Sequence, residues 1–168
     1  IERPDLVRCA VLIGTYPHAP SGWVRDYHAA EIAFRRAGGR LDGMIGVSHY
    51  AAMLYPASAL DDPATWARIR EDLLAWMSSG DNERSLIAQW ELCLRNDQRE
   101  ELRRCRVPLH VIAGSEDVEV PPSLQRSVAE LAPEATFELV EGAGHGSLFG
   151  HLTERFNELI EERIRRHL

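Results

Sequence analysis

Val107-Pro108-Leu109-His110-Val111-Ile112-Ala113-Gly114-Ser115-Glu116-Asp117 is an apolar run that ends at a glycine and hands over to a short polar loop. Such a run reads as a strand buried on both faces, the habit of parallel sheets. Downstream, Pro121-Pro122 opens a helix through Leu124, Val128 and Leu131 that stops near Pro133. Ala135 to Val140 reads as a further strand, Gly142-Ala143-Gly144-His145-Gly146 as a glycine-rich loop, and Leu152, Phe156, Leu159, Ile160 and Ile164 as the buried stripe of a last helix. Strand, helix, strand, helix is an α/β arrangement.

Upstream, Pro4-Asp5-Leu6-Val7-Arg8 is a polar lead into Cys9-Ala10-Val11-Leu12-Ile13-Gly14, which again predicts a strand buried on both faces. Between these two strands the pattern is helical. Ser21 is placed to cap a helix whose apolar positions include Trp23, Val24, Tyr27 and Phe34, with a left-handed stop at Gly38-Gly39. Gly46 to Tyr55, bounded by Pro56, reads as a short helix. Asp62-Pro63 opens a helix with Trp66, Ile69, Leu73 and Met77 at spacings of three and four, ended by Gly80. Asp81 or Asn82 starts another, with Leu86, Trp90 and Cys93 or Leu94 on one face.

A chain of 168 residues, 45% of them hydrophobic, has enough apolar material for one buried core. The formal charge of −7, with no Lys/Arg-rich run, provides no electrostatic footprint for nucleic acid or an anionic membrane, so neither is expected as a partner. Cys9, Cys93 and Cys105 are too few and too irregular for a zinc site or a disulfide framework, and they read as free thiols in a reducing compartment. No stretch approaches the ~20 apolar residues that span a bilayer. A soluble, cytoplasmic protein is the expectation.

In an open parallel sheet the functional groups gather in loops at the C-terminal ends of strands, and Asp117 and His145 occupy such loops on successive strands. A carboxylate there can accept a hydrogen bond from one imidazole nitrogen, which fixes the tautomer and leaves the other nitrogen as a general base. The glycines around His145 let the backbone turn sharply and leave the ring room to reach a neighbour. An Asp after a strand is more often a turn former, and a lone His more often merely satisfied. The two together, in this order and spacing, are far more specific.

Val107-Pro108 leading through the strand to Gly114-Ser115-Glu116-Asp117, then Val120-Pro121, then Glu141-Gly142-Ala143-Gly144-His145, resembles the closing third of the α/β-hydrolase superfamily. Pro4 to Thr15 is similar to the stretch that follows that family's nucleophile elbow and enters its sixth strand. The resemblance implies a mostly parallel sheet with an inserted helical cap: a core strand in 1–16, the cap in 17–104, and a C-terminal core carrying the seventh and eighth strands in 105–168. It also implies a triad in which Asp117 and His145 serve a serine, and hydrolysis of an ester, thioester or lactone of a small apolar molecule. The family's Gly-x-Ser-x-Gly elbow and oxyanion-hole loop would lie before Ile1. The N-terminal half, as a second chain or a missing segment, is therefore the expected partner. Three strands alone would leave the apolar edge of Ala10 to Gly14 uncovered.

No cofactor or metal is expected, since His18, His28, His49, His151 and His167 lack ligand-like spacing with acids or cysteines. His110, inside a buried strand, reads as a core histidine with a hydrogen-bond partner. Ser48, in Met44-Ile45-Gly46-Val47-Ser48-His49-Tyr50, imitates an elbow, but Tyr50 stands where a second glycine belongs, and a polar cap residue is the better reading. The four tryptophans, Trp23, Trp66, Trp76 and Trp90, all fall in the cap and mostly pack its helices. Trp23, Tyr50, Met53 and Tyr55 are the candidates for substrate contact. Arg35-Arg36, Arg103-Arg104 and Arg165-Arg166 read as solvated helix ends. Two other functions fit the same pattern: a non-catalytic member that binds an apolar ligand or scaffolds a partner, and an epoxide-opening enzyme with an aspartate nucleophile and Tyr50 or Tyr55 as acid.

Overall fold

Three parallel strands, β1 (Ala10–Ile13), β2 (Leu109–Gly114) and β3 (Ala135–Val140), form a sheet in that order in a computed structural model that describes residues 3–78 and 83–168. β1 pairs with β2 from Ala10↔Leu109 to Ile13↔Ile112, and β2 with β3 from Leu109↔Ala135 to Gly114↔Val140. β2 is buried at every position, as its apolar run requires. β1 is only half-buried along its length, short of the expected burial on both faces. Among the described residues its one neighbour is β2, so one edge stays uncovered.

Alternation along the strands divides the core. Leu109 and Val111 meet Leu102, Val128 and Ala132 on the side of α6 (Arg99–Arg104) and α7 (Pro122–Leu131). Ile112 and Val140 meet Phe156 and Leu159 on the side of α8 (Thr153–Arg165). His110 is a core histidine with partners, as expected: Nδ1 lies 2.8 Å from Thr136 Oγ1 and Nε2 lies 2.8 Å from His167 Nε2.

Between β1 and β2 the chain forms α1 (Gly22–Arg36), α2 (Gly43–Leu54), α3 (Ala57–Asp61), α4 (Pro63–Ser78) and α5 (Glu83–Cys93). This segment has its own core of Val47, Tyr50, Ala51, Ile69 and Leu73. It also closes on itself at its base. The Ala19 amide donates to Asn96 O (2.6 Å), the Gln98 amide to Pro17 O (2.7 Å) and Asn96 Nδ2 to Tyr16 O (3.2 Å). Asp62 caps α4 through the Thr65 amide at 2.8 Å, and Gly38 provides the left-handed stop of α1 at φ +84°. Ser21 stands at the N-cap position with extended backbone, but its hydroxyl makes no capping bond. The expected boundary at Gly80, Asp81 or Asn82 lies outside the described residues.

α1 departs most from expectation. Trp23 and Phe34 are 54% and 42% exposed, whereas the buried stripe is Val24, His28, Glu31, Ile32 and Arg35. Arg35 is therefore not a solvated helix end. Its Nε bonds Glu31 Oε2 at 3.2 Å, its Nη2 bonds the Tyr50 hydroxyl, and its guanidinium lies 5.3 Å from the Trp90 ring centre. An apolar count along the helix misplaces the inner face because that face meets polar groups.

The ends of β2 and β3 are laced together. The Ser115 amide donates to Val140 O (3.0 Å), the Glu116 amide to Ala143 O (2.9 Å) and the Gly142 amide to Ser115 Oγ (2.9 Å). A Cβ on Gly114 would sit 2.3 Å from Ala143 O, a backbone atom that cannot swing aside. Gly114→Ala should therefore lower the unfolding free energy by about 1–3 kcal/mol, the range for forced overpacking, measured as a shift of the urea midpoint at unchanged slope.

Candidate active site

Asp117 and His145 meet where these two laced loops converge. The Asp117 side chain is 3% exposed, and three groups from different parts of the chain approach its carboxylate. Oδ1 accepts the Val120 amide at 2.8 Å, while Oδ2 accepts Gln125 Nε2 at 3.1 Å and faces His145 Nδ1 at 3.0 Å. A buried carboxylate is an acceptor, so Nδ1 carries the proton and Nε2 keeps its lone pair as a base. Burial alone would lower the imidazole pKa. The hydrogen bond to Asp117 and the charges of Glu119 and Asp117 outweigh it and raise the pKa above the ordinary histidine value.

Gln125, fully buried in α7, ties the acid to the sheet. Its Oε1 accepts the Gly14 amide at 2.9 Å, and its Nε2 also donates to Val120 O at 2.8 Å. Gly14, just after β1, adopts φ +62°, and a Cβ there would lie 2.7 Å from His145 Cε1. The imidazole thus rests on backbone that only glycine leaves open.

The glycines beside His145 act otherwise than expected. Gly142 alone in this loop has a left-handed φ, at +69°. Gly144 and Gly146 instead permit close approach to α2: a Cβ on Gly144 would come within 2.8 Å of Leu54 O, and the Gly146 amide donates to that oxygen at 2.6 Å. Tyr55 packs against Gly146 and Gly150, so this ring holds the histidine loop against the helical segment.

The contacts described for the other sequence candidates lead elsewhere than to Asp117 or His145. Tyr50 is buried, with its hydroxyl bonded to Arg35 and its ring edge-on to Trp76. Trp23 stacks on Tyr27 at 5.5 Å on the outside of α1, and Met53 is partly buried on α2. Ser48 is exposed inside the continuous helix α2, with no strand-to-helix turn around it. Among the described residues no cluster of His, Cys, Asp and Glu could hold a metal ion.

Beside His145 lies a residue that sequence reasoning passed over. Glu119 Oε2 is 3.9 Å from His145 Nε2. Burial raises the pKa of its carboxyl, and the Asp117 and Glu31 charges add to this, partly offset by His145. On α1, burial would raise the Glu31 pKa, but His49 and Arg35 bring it below the ordinary value. His49 Nε2 lies 2.6 Å from Glu31 Oε1, an ion-pair contact too bent for a well-aligned hydrogen bond. His28, 2% exposed and stacked against Trp90 at 6.2 Å, has its pKa lowered by burial and by the nearby His145 charge. The clue in the sequence was an acid two residues after Asp117; the α1 residues carried none.

A family model described as the alpha/beta hydrolase family matches residues 2–159. The chain belongs to that family. Among solved structures, the provisionally assigned non-heme bromoperoxidase BpoC of Mycobacterium tuberculosis H37Rv superposes with a TM-score of 0.84 at 22% identity, covering 98% of this chain and 60% of that one. A thermophilic esterase from Thermogutta terrifontis gives 0.74 at 23%, covering 99% and 59%. An enol-lactonase from Burkholderia xenovorans LB400 gives 0.73 at 18%, covering 94% and 56%. At such identities these structures share the fold with this chain. The chain spans about 60% of the length of the first structures it matches. No curated protein sequence matches it.

A histidine pKa raised by folding stabilises the protein fully below the unfolded value of about 6.5, and this contribution is lost as pH rises through the raised value. NMR titration of the His145 ring should therefore show a midpoint above that of an unfolded histidine, falling in Asp117→Asn. Gln125→Leu removes a donor from Asp117 and leaves the Gly14 amide unsatisfied. It should destabilise the protein by about 1–3 kcal/mol, read by chemical denaturation.

Proposed function

We propose that this chain supplies the acid and the base of a serine hydrolase acting on an ester, thioester or lactone of a small molecule. The observation that carries this reading is the 3.0 Å contact from His145 Nδ1 to Asp117 Oδ2, with the ring still 25% exposed. Nε2 takes the proton of a serine hydroxyl as its oxygen bonds to the carbonyl carbon, then returns that proton to the departing alkoxide or thiolate. In the second half, Nε2 takes a proton from water as the water oxygen bonds to the acyl carbon, then gives it to the serine oxygen as the acyl–serine bond breaks and the acid leaves. Asp117 stays ionised throughout and stabilises the imidazolium.

The serine would come from residues outside this sequence. β1 supports this: it is apolar, half-buried and paired along one edge among the described residues, so it can accept a further parallel strand from a second chain or another segment. The helical segment, docked by Leu54 onto the histidine loop, would act as a cap over the site. Among the described residues no helix is long and apolar enough to cross a membrane. The three unpaired thiols suit a reducing compartment, and we place the protein in the cytoplasm.

Labelling by a fluorophosphonate, with intact mass of every polypeptide in the sample, tests this. The label should appear on a serine outside this sequence and disappear in His145→Ala, with ester turnover falling by about 10³-fold or more. A folded His145→Ala protein that labels and turns over like the original would overturn the reading.

A further inference from the structure

The loop that carries His145 is wound on itself. The Gly144 amide donates to the Ser147 hydroxyl at 2.8 Å, the Ser147 amide to Gly144 O at 3.2 Å, and the Phe149 amide to Gly146 O at 3.0 Å. The Gly150 and Leu152 amides both donate to Ser147 O, at 3.3 and 3.2 Å, and Ser147 is fully buried. Residues 144–152 therefore move as one piece, and a hold on any part of that piece reaches the imidazole.

The helical segment grips this piece at two separate points. At Gly146 the amide donates to the carbonyl of Leu54, the last residue of α2, at 2.6 Å. At Gly150 the carbonyl accepts Arg68 Nη2 from α4 at 3.2 Å, together with the Thr153 hydroxyl of α8 at 2.9 Å. The buried Tyr55 ring spans both points. Gly146 and Gly150 each face it, so closely that a Cβ on Gly150 would run into Tyr55 Cε1. Arg68 is otherwise exposed on α4. Holding so long a side chain in one place costs rotamer freedom, which a hydrogen bond from a charged donor can offset.

Resting on the hydrolase reading above, we infer that Tyr55 and Arg68 are positioning residues for His145: from the helical segment they hold the histidine loop at Gly146 and Gly150, and so keep Nδ1 on Asp117. The bond from His145 to Asp117 joins the loops of two different strands, and at 3.0 Å it tolerates little drift of either. The acid is fixed from its own side by the Val120 amide and Gln125. The base has the lacing of the strand ends and, beyond it, this grip. The part of the chain that would cover a substrate is thus the part that aims the base.

The test reads the tautomer of His145 from the ring-nitrogen NMR shifts of isotope-labelled protein, at a pH where the ring is neutral. The Nδ1–H form should dominate, and Arg68→Met and Tyr55→Leu should each raise the share of the Nε2–H form by about five-fold, the scale of one hydrogen bond. Arg68→Lys keeps a cationic donor and should restore most of the original balance. Leu73→Val loosens the core of the helical segment while leaving both grips in place, and should not shift the balance. Because Arg68 is exposed, its replacement spares the fold and decides the matter should Tyr55→Leu fail to fold. A folded Arg68→Met or Tyr55→Leu protein with the original balance, or a Leu73→Val protein that shifts it as far, would overturn the inference. An unaltered protein dominated by the Nε2–H form would overturn it together with the hydrolase reading. Turnover separates the two: a tautomer that depends on Arg68 in a protein that cleaves no ester counts against the hydrolase reading alone, and ester cleavage with kcat unchanged in Arg68→Met counts against the positioning role alone.

Discussion

The site hangs on one buried carboxylate. Asp117 is almost fully withdrawn from water, and a charge in that position survives only if its oxygens are answered by fixed donors. Those donors are the Val120 amide of its own loop, the Gln125 amide of α7 and the imidazole of the next strand's loop. Gln125 reaches onward to Gly14, so the acid, the end of β1 and the helix between β2 and β3 form one hydrogen-bonded unit. Each donor comes from a different element. The packing of the sheet and the orientation of His145 are consequently one problem.

Close approach of backbone to backbone solves much of that problem. Gly114 meets Ala143, Gly144 and Gly146 meet Leu54, and Gly14 meets the imidazole itself. These contacts fasten the ends of two strands to each other and to the helical segment without spending side chains near the base. Glu119 stands beside the base, and Glu31 and His28 are buried on α1, where a single unmatched charge weighs heavily.

The strands and the pairing of Asp117 with His145 were legible because their signals are local: an apolar run, a terminating glycine, a polar residue just beyond. The stops and caps at Gly38 and Asp62 were legible for the same reason. What eluded the sequence depends on distant partners. Arg35 reads as a helix-end cation until Glu31, Tyr50 and Trp90 surround it, and Trp23 reads as core until the helix turns it outward. Gln125 looks like any polar residue on a helix whose stripe is Leu124, Val128 and Leu131. Its three bonds reach Asp117, Val120 and Gly14, the last 111 residues away, and no window along the chain reveals that.

The helical segment between β1 and β2 leaves and returns through a single neck, where Pro17 and Ala19 run antiparallel to Asn96 and Gln98. Whatever lies beyond the neck, the two chain ends that enter the sheet stay at the same separation. Closure of the loop is settled there, and lengthening the excursion adds only a slowly growing entropic penalty. A lineage could therefore replace most of the residues beyond Ala19 while the strands beneath keep their spacing, provided the stretch at Leu54 and Tyr55 that grips the histidine loop is kept.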